Sequence, residues 1–339
     1  MKGTKGTLSI TVLSLAIMIF TLPFMSVLVG GAQVAEAKSK PIVLKAVTFQ
    51  RAGIGTTGFE IFMNKLNEAA KGELVIKWTG GPSAIPAHDQ PEALRRGVVD
   101  FAFTPPGYYK SQLPEASATF FSRLTPWEER KIGYFDLLVD LHEKAGWRYI
   151  GNAAWGTMYH TWTTFKVKKP EDLAGHLIRS GRTSLAFCRA LGIKPVTMPI
   201  SDVYSGLDRG IIEGYMLGPS PTEDLKLYEV VKYAIKPGFY SNRSGFLMNL
   251  DSWNRLPKHL QELIKQTQIG VDRQIVDTYN EVLEKAWNGL VDRGIEVIEF
   301  SPDDAKRFAD MAYESGWKAA AKKMDPKTVE KIEKMLFKK

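Results

Sequence analysis

The sequence predicts an α/β protein of two lobes of similar build, and three observations carry that expectation. A seven-residue phrase occurs twice: Leu94-Arg95-Arg96-Gly97-Val98-Val99-Asp100 and Leu207-Asp208-Arg209-Gly210-Ile211-Ile212-Glu213. Each reads as a helix end, a glycine stop and the start of a buried strand. Gly supplies the φ > 0 residue that ends a helix at low cost, and a Val/Ile pair favours extended backbone. Residues 42–103 alternate strand-like and helical patterns in a βαβαβ order, which implies a parallel sheet with helices on its faces. The same order recurs from residue 176 to 216, so the repeated phrase falls at the matching place in each lobe.

The elements follow in order. Ile42 to Phe49 is a near-continuous apolar run, as for a strand covered on both faces. Phe59, Phe62, Met63, Leu66, Ala69 and Ala70 have helical spacing, stopped at Lys71-Gly72. Leu74 to Trp78 is the second strand, Gln90 to Arg96 the end of a helix, and Val98 to Phe103 the third strand. Pro105-Pro106-Gly107 then breaks the chain. The second lobe starts near Tyr149, with extended chain to Trp155. It continues with a strand at 176–180, a helix at 184–191, a strand at 194–198, a helix at 202–209 and a strand at 211–216. Phe246 to Asn249 reads as a return strand and Pro257 to Asp292 as one long helix. Ile295 to Phe300 is the last strand, and Ser301 caps a helix with Pro302 at its first position. The expected division is 38–156 plus 245–285 for the first lobe and 157–244 plus 286–339 for the second.

Ahead of these lobes lies an export pattern. Lys2 and Lys5 are followed by an uncharged stretch from Gly6 to Ala35, mostly apolar from Leu8 to Val29, and then by the small-x-small motif Ala35-Glu36-Ala37. Cleavage after Ala37 is expected. The alternative, an uncleaved anchor, is weakened by Thr11, Ser14, Thr21, Pro23 and Ser26. No cysteine lies near the cleavage site to carry a lipid. The mature chain is therefore expected to be soluble and outside the cytoplasm.

Composition narrows the function. The single cysteine, Cys188, lies on an apolar helix face and reads as a buried structural thiol. The formal charge of +8 falls to +7 without Lys2, Lys5 and Glu36, and it is scattered rather than striped, against nucleic-acid binding. Gly53-Ile54-Gly55-Thr56-Thr57-Gly58 matches the dinucleotide pattern G-x-G-x-x-G. A dinucleotide fold also needs an acid at the tip of the second strand, and Trp78-Thr79-Gly80-Gly81 has none. G-x-S-x-G, H-E-x-x-H, C-x-x-C and Walker loops are absent, and His88, His142, His160, His176 and His259 are dispersed. Arg179 stands out. At the end of a parallel strand its side chain reaches the crevice where ligands bind, and a guanidinium there can hold a carboxylate with two parallel hydrogen bonds. Its alternative is an arginine paired with an acid at a surface.

Pro170-Glu171-Asp172-Leu173-Ala174-Gly175-His176-Leu177-Ile178-Arg179, Leu191-Gly192-Ile193-Lys194-Pro195-Val196, and Asp202-Val203-Tyr204 with Leu207, Gly210 and Gly214 together resemble a known family. It is the solute-binding proteins of tripartite ATP-independent periplasmic (TRAP) transporters, of the dicarboxylate type. The resemblance covers essentially the whole mature chain. It implies a periplasmic two-lobed binding protein of the class II kind, each lobe a mixed, mainly parallel sheet flanked by helices, with a long helix spanning both. It implies closure around a small organic acid and delivery to TRAP permease membrane subunits, without catalysis. The family's carboxylate-binding arginine maps onto Arg179.

Two departures bear on the ligand. Many members carry a second arginine near the place of Met158. Many carry Glu-Asn or Glu-Trp shortly after the motif, where this chain has Tyr215-Met216-Leu217. Without that acid no metal site is expected, and no cofactor. A more apolar pocket implies a monocarboxylate with an apolar or aromatic body. Ligand contacts should come from both lobes, since otherwise binding would not favour closure. The nominated residues are Gln50 and Tyr108 on one side and Trp155, Met158, Arg179, Tyr215, Met216 and Tyr240 on the other. A monomer is expected, with a dimer as the alternative. Two other functions fit an exported two-lobed scaffold: a ligand sensor for a membrane kinase, and an enzyme.

Overall fold

Gly97 and Gly210, the stops of the repeated phrase, adopt φ of +74° and +68°. Around them the hydrogen bonds correspond one for one. Gly97 N–H donates to Leu94 and Val98 N–H to Ala93, as Gly210 donates to Leu207 and Ile211 to Gly206. Both are left-handed helix stops of the Schellman kind.

The structure is a computed structural model that describes residue 3 and residues 40–241 and 243–337; the expected cleavage site at Ala37 lies outside them. The first half contains β1 (Ile42–Thr48), α1 (Thr57–Ala69), β2 (Leu74–Gly80), α2 (Gln90–Arg95), β3 (Phe101–Thr104), α3 (Pro126–Lys131), α4 (Tyr134–Lys144) and β4 (Trp147–Ala154). The chain then crosses to β5 (Met158–Thr163), β6 (Leu177–Arg179), α5 (Leu185–Ala190), β7 (Lys194–Val196), α6 (Val203–Asp208), β8 (Gly214–Leu217), α7 (Pro219–Asp224) and β9 (Tyr233–Ser241). It returns through β10 (Ser244–Asn249) and α8 (Leu250–Asn254), and ends with α9 (Lys258–Asp292), β11 (Glu296–Glu299), α10 (Pro302–Ala321) and α11 (Pro326–Leu336).

The strands form two mixed sheets, β2-β1-β3-β10-β4 and β11-β9-β5-β8-β6-β7. In the first, β1 pairs in parallel with β2 and β3. In the second, β6 pairs in parallel with β7 and β8. The βαβαβ order therefore folds identically twice. In each sheet an antiparallel strand that has just crossed from the other lobe lies beside the third parallel strand: β10 beside β3, and β5 beside β8. Helix α9 spans both lobes. Leu260, Ile264, Val271 and Ile275 join the core around Phe59, Phe62 and Phe246, whereas Leu290 joins the core around Trp162 and Tyr215. Spacings of 4, 7 and 11 residues put the first four on one face. Near the chain end, α10 packs on α5 and β9, while Met324 and Ile332 join the core on the other face of the first sheet.

The starts of two strands and the presence of two others differ from expectation. β3 and β8 begin three residues later than Val98 and Ile211, which are 55% and 53% exposed. Asp100 and Glu213 hold the strand entrances instead. β5 and β9 lacked a strand expectation, since Pro237-Gly238 reads as a breaker; the sheet accommodates them by register shifts on both sides of Tyr159. Two of the three glycines of the G-x-G-x-x-G stretch serve close packing. A Cβ on Gly55 would lie 1.7 Å from Gln50 Oε1, and one on Gly58 would lie 1.9 Å from the Ala153 carbonyl oxygen. Cys188 is buried, its Sγ 3.6 Å from the Met216 sulfur. Among the described residues no helix is long and apolar enough to cross a membrane.

Candidate ligand-binding site

Arg179 ends β6, paired with Val196 on one side and Tyr215 on the other. The residue is 7% exposed. Its Nε and Nη2 donate to the Met198 carbonyl at 3.3 and 3.2 Å. No carboxylate pairs with it among the described residues, although fifteen ion pairs form elsewhere. The surface-pair alternative is thus excluded. A guanidinium buried without an acid is costly, and burial pushes its pKa down.

Tyr159 is the neighbour that the sequence did not nominate. Burial raises its phenol pKa; the Arg179 charge opposes the rise and Tyr108 adds to it. Tyr159 therefore sits within electrostatic reach of β6 in one lobe and of the turn after β3 in the other. It lies in β5 where register shifts flank it, and its ring stands 6.3 Å from Phe239. The available signal was its place in a Met-Tyr-His-Thr-Trp-Thr run of aromatic and β-branched residues. Tyr108 is half-buried, with its ring 5.8 Å from Phe49 and 4.3 Å from His88. Burial raises its pKa as well.

The other nominated residues separate into two groups. Met158 is half-buried at the start of β5 and faces Gly238, whose Cβ position lies 2.9 Å from Met158 Cβ. Gln50 is half-buried after β1, its side-chain amide over Gly55. Trp155, half-buried in the crossing segment, donates from Nε1 to the Leu124 carbonyl at 3.1 Å. Tyr215, Met216 and Tyr240, by contrast, are packed into the second lobe's cores at 0%, 1% and 0% exposure. Tyr215 stacks on Trp162 and donates to Thr222 Oγ1, and Tyr240 donates to the Ala312 carbonyl at 2.7 Å. The reason is the strand position: β8, which carries Tyr215 and Met216, and β9, which carries Tyr240, both lie inside the second sheet, and their side chains enter the layers that cover it.

Cations accompany the site. Lys110, two residues after Tyr108, has its pKa lowered by burial and by the charges of Lys323 and Arg182. Arg182 follows Arg179 by three residues, so like charges from both lobes approach one another. Among the described residues no group of three or more His, Cys, Asp or Glu side chains could hold a metal ion.

Residues 51–323 match the family model for bacterial extracellular solute-binding protein, family 7. The monocarboxylate 2-oxoacid-binding periplasmic protein of Nostoc sp. is 22% identical over 268 residues, 73% of this chain and 70% of that protein. The 2,3-diketo-L-gulonate-binding periplasmic protein of Escherichia coli is 25% identical over 270 residues, 74% and 77% of the two chains. Among solved structures, a TRAP periplasmic solute-binding protein from Ochrobactrum anthropi superposes with a TM-score of 0.78 at 20% identity, over 88% of this chain and 95% of that one. One from Desulfovibrio salexigens with bound orotic acid gives 0.74 at 16%, over 87% and 98%. A family match over most of the chain, on a fold of two lobes with duplicated topology, places it: the chain belongs to the family 7 bacterial extracellular solute-binding proteins, extracytoplasmic receptors that bind a small molecule and deliver it to the membrane permease of a TRAP transporter.

Proposed function

We propose that this receptor takes a monocarboxylate with an apolar or aromatic body, clamped between its lobes with the acid group on Arg179. The observation that carries the reading is the buried guanidinium with one carbonyl acceptor and, among the described residues, no acid partner. An anionic ligand supplies the missing charge, and charge-assisted bonds of this kind are short and strong. Tyr159 and Tyr108 form aromatic walls on either side, with Phe49 behind Tyr108. Met158 adds apolar surface where a second arginine would call for a second anionic or hydroxylated group. Apolar burial contributes about 25 cal/mol per Å² toward closure. Gln50 and Trp155 stay at the rim of this pocket; Tyr215, Met216 and Tyr240 support it from within the core. The 2-oxoacid ligand of the Nostoc relative is of the same chemical class.

Lys110 and Arg182 steer the anion toward the cleft, so association should slow as salt rises. The lobe limits fall between Ala154 and Met158 and between Ser241 and Ser244, with α11 returning to the first lobe. Export and cleavage after Ala37 complete the reading, and the N-terminal sequence of secreted protein tests them. The functional experiment is a thermal-shift screen of organic acids against the wild type and Arg179→Ala. Monocarboxylates with apolar bodies should raise the wild-type Tm by mass action and leave the variant unmoved. A full shift retained in the variant would remove Arg179 from this role.

A further inference from the structure

The two segments that cross between the lobes are tied to one carbonyl oxygen. Trp155, which follows β4, donates to the Leu124 carbonyl at 3.1 Å. Arg243, which precedes β10, donates from Nη2 to the same oxygen at 2.6 Å and to the Ser122 carbonyl at 3.4 Å. The Arg243 guanidinium also lies over the Trp155 ring, 5.8 Å from its centroid.

Beneath this knot is a buried ion pair. Arg243 Nη1 lies 3.2 Å from Glu129 Oε1, with side chains 2% and 1% exposed. Ser122 Oγ donates to Glu129 Oε1 at 2.6 Å, and Asn152 Nδ2 to Glu129 Oε2 at 3.3 Å. The next residue of α3 reaches the third connection between the lobes: Arg130 Nε donates to Asp272 of α9 at 3.1 Å. Gln268 of α9 donates to Asp272 Oδ1 at 2.7 Å and to the Asn152 carbonyl at 2.9 Å. Helix α3, fixed at its start by a Thr125–Glu128 capping box, thus holds both crossing strands and the long helix. Immediately past the knot, Gly156 takes φ of +86°.

We infer that Glu129 and Arg243 are positioning residues for lobe closure. They pin the crossing segments to the first lobe, so that rotation is taken up on the second-lobe side, at Gly156. A buried ion pair suits the task because separating it strands a charge away from water, which makes the pinned geometry all-or-none. The inference holds whatever acid the cleft takes.

The test needs no ligand. Spin labels placed on exposed sites of the two lobes, at Lys77→Cys and Lys194→Cys in a Cys188→Ala background, report the distribution of interlobe distances by pulsed electron resonance. The double variant Glu129→Leu/Arg243→Met removes both charges and should keep a Tm close to that of its parent, since apolar replacement of a buried pair is often neutral. Its distance distribution should broaden at least twofold. Trp155→Phe, which deletes a single hydrogen bond, should broaden it less. Phe62→Leu, a core variant, should lower Tm without broadening. An unchanged distribution in the double variant would overturn the inference, and so would equal broadening in Phe62→Leu.

Discussion

Glu213 and Leu177 close a two-bond ring: the Glu213 N–H donates to the Leu177 carbonyl at 2.7 Å, and the Leu177 N–H donates to Glu213 Oε2 at 2.9 Å. Asp100 and Lys45 form the same ring in the other lobe, with both bonds at 2.9 Å. The acid that ends each repeated phrase therefore registers β8 against β6 and β3 against β1, just before the tips that line the cleft. It is a structural group in both lobes.

Replacing either acid should weaken the fold and spare the ligand. Asp100→Ala and Glu213→Ala should each cost about 1–2 kcal/mol, the effect of leaving a strand N–H without its acceptor. Urea melts would show it, with ligand affinity within twofold of wild type. The Leu177 N–H, and after it His176, holds the Glu213 pKa below its usual value. That contribution is fully present above the ordinary carboxylate range and is lost as pH falls through the depressed folded value. Glu213→Gln should therefore flatten the acid limb of stability, and an unaltered limb would contradict the assignment.

Arg179→Ala should lose carboxylate binding by at least a hundredfold, the scale of a charge-assisted pair of bonds. Arg179→Lys should recover little, because an ammonium cannot reproduce the planar two-bond grip. Isothermal titration with 4-methyl-2-oxopentanoate and phenylpyruvate measures both. The Tm without ligand should change little or rise, since the variant removes a buried charge that has no acid partner among the described residues.

His142 and His160 should make the protein sensitive to mild acid. Each gives its Nδ1–H to a carbonyl, of Leu138 at 2.6 Å and of Ile235 at 3.1 Å, so each ring is neutral with its proton on Nδ1. Tyr109 O–H donates to the remaining His142 nitrogen at 3.1 Å. Burial lowers both pKa values to about 4. The unfolded chain, with pKa near 6.5, takes up protons first, so stability falls as pH drops from about 6.5 toward 4. By pH 5 each histidine should have cost about 2 kcal/mol. Denaturant melts of wild type and His142→Gln at pH 7 and 5 would reveal the difference; a pH-independent stability in the wild type would refute it.

Two glycines should resist enlargement. A Cβ on Gly58 would stand 1.9 Å from the Ala153 carbonyl oxygen, pushing α1 off β4. On Gly316 it would stand 2.2 Å from the Tyr240 hydroxyl and 2.5 Å from the Phe121 ring, parting α10 from β9. Gly58→Ala and Gly316→Ala should each destabilise by about 2–3 kcal/mol despite the better helix propensity of alanine. Circular dichroism melts would register this as a fall in Tm of several degrees or more.

The duplicated βαβαβ order, the long helix and the Ser301 cap of α10 were legible because they depend on local chemistry. A glycine in the left-handed region, a serine accepting the Asp304 N–H and a helical apolar stripe are decided within a few residues. The place of Arg179 at the end of a parallel strand was legible for a related reason, since the Leu177-Ile178 run before it and the Ser180-Gly181 pair after it mark a strand end locally. β5 and β9 were not, because Pro237-Gly238 has the chemistry of a turn and only the bulged pairing with Tyr159 makes it part of a strand. Tyr159 escaped with them.

Sequence alone determined which residues could bind, bury or bend. Tertiary structure alone decided which of those capacities are used. Tyr215, Met216 and Tyr240 have the same side chains as a pocket wall, yet their strands lie between two helical layers and turn them into core. Arg179 could have met an acid as twelve other Lys and Arg side chains do among the described residues, and the fold brought it a carbonyl instead. The distinction is long-range: it depends on what packs across tens or hundreds of residues, and local periodicity carries no record of it.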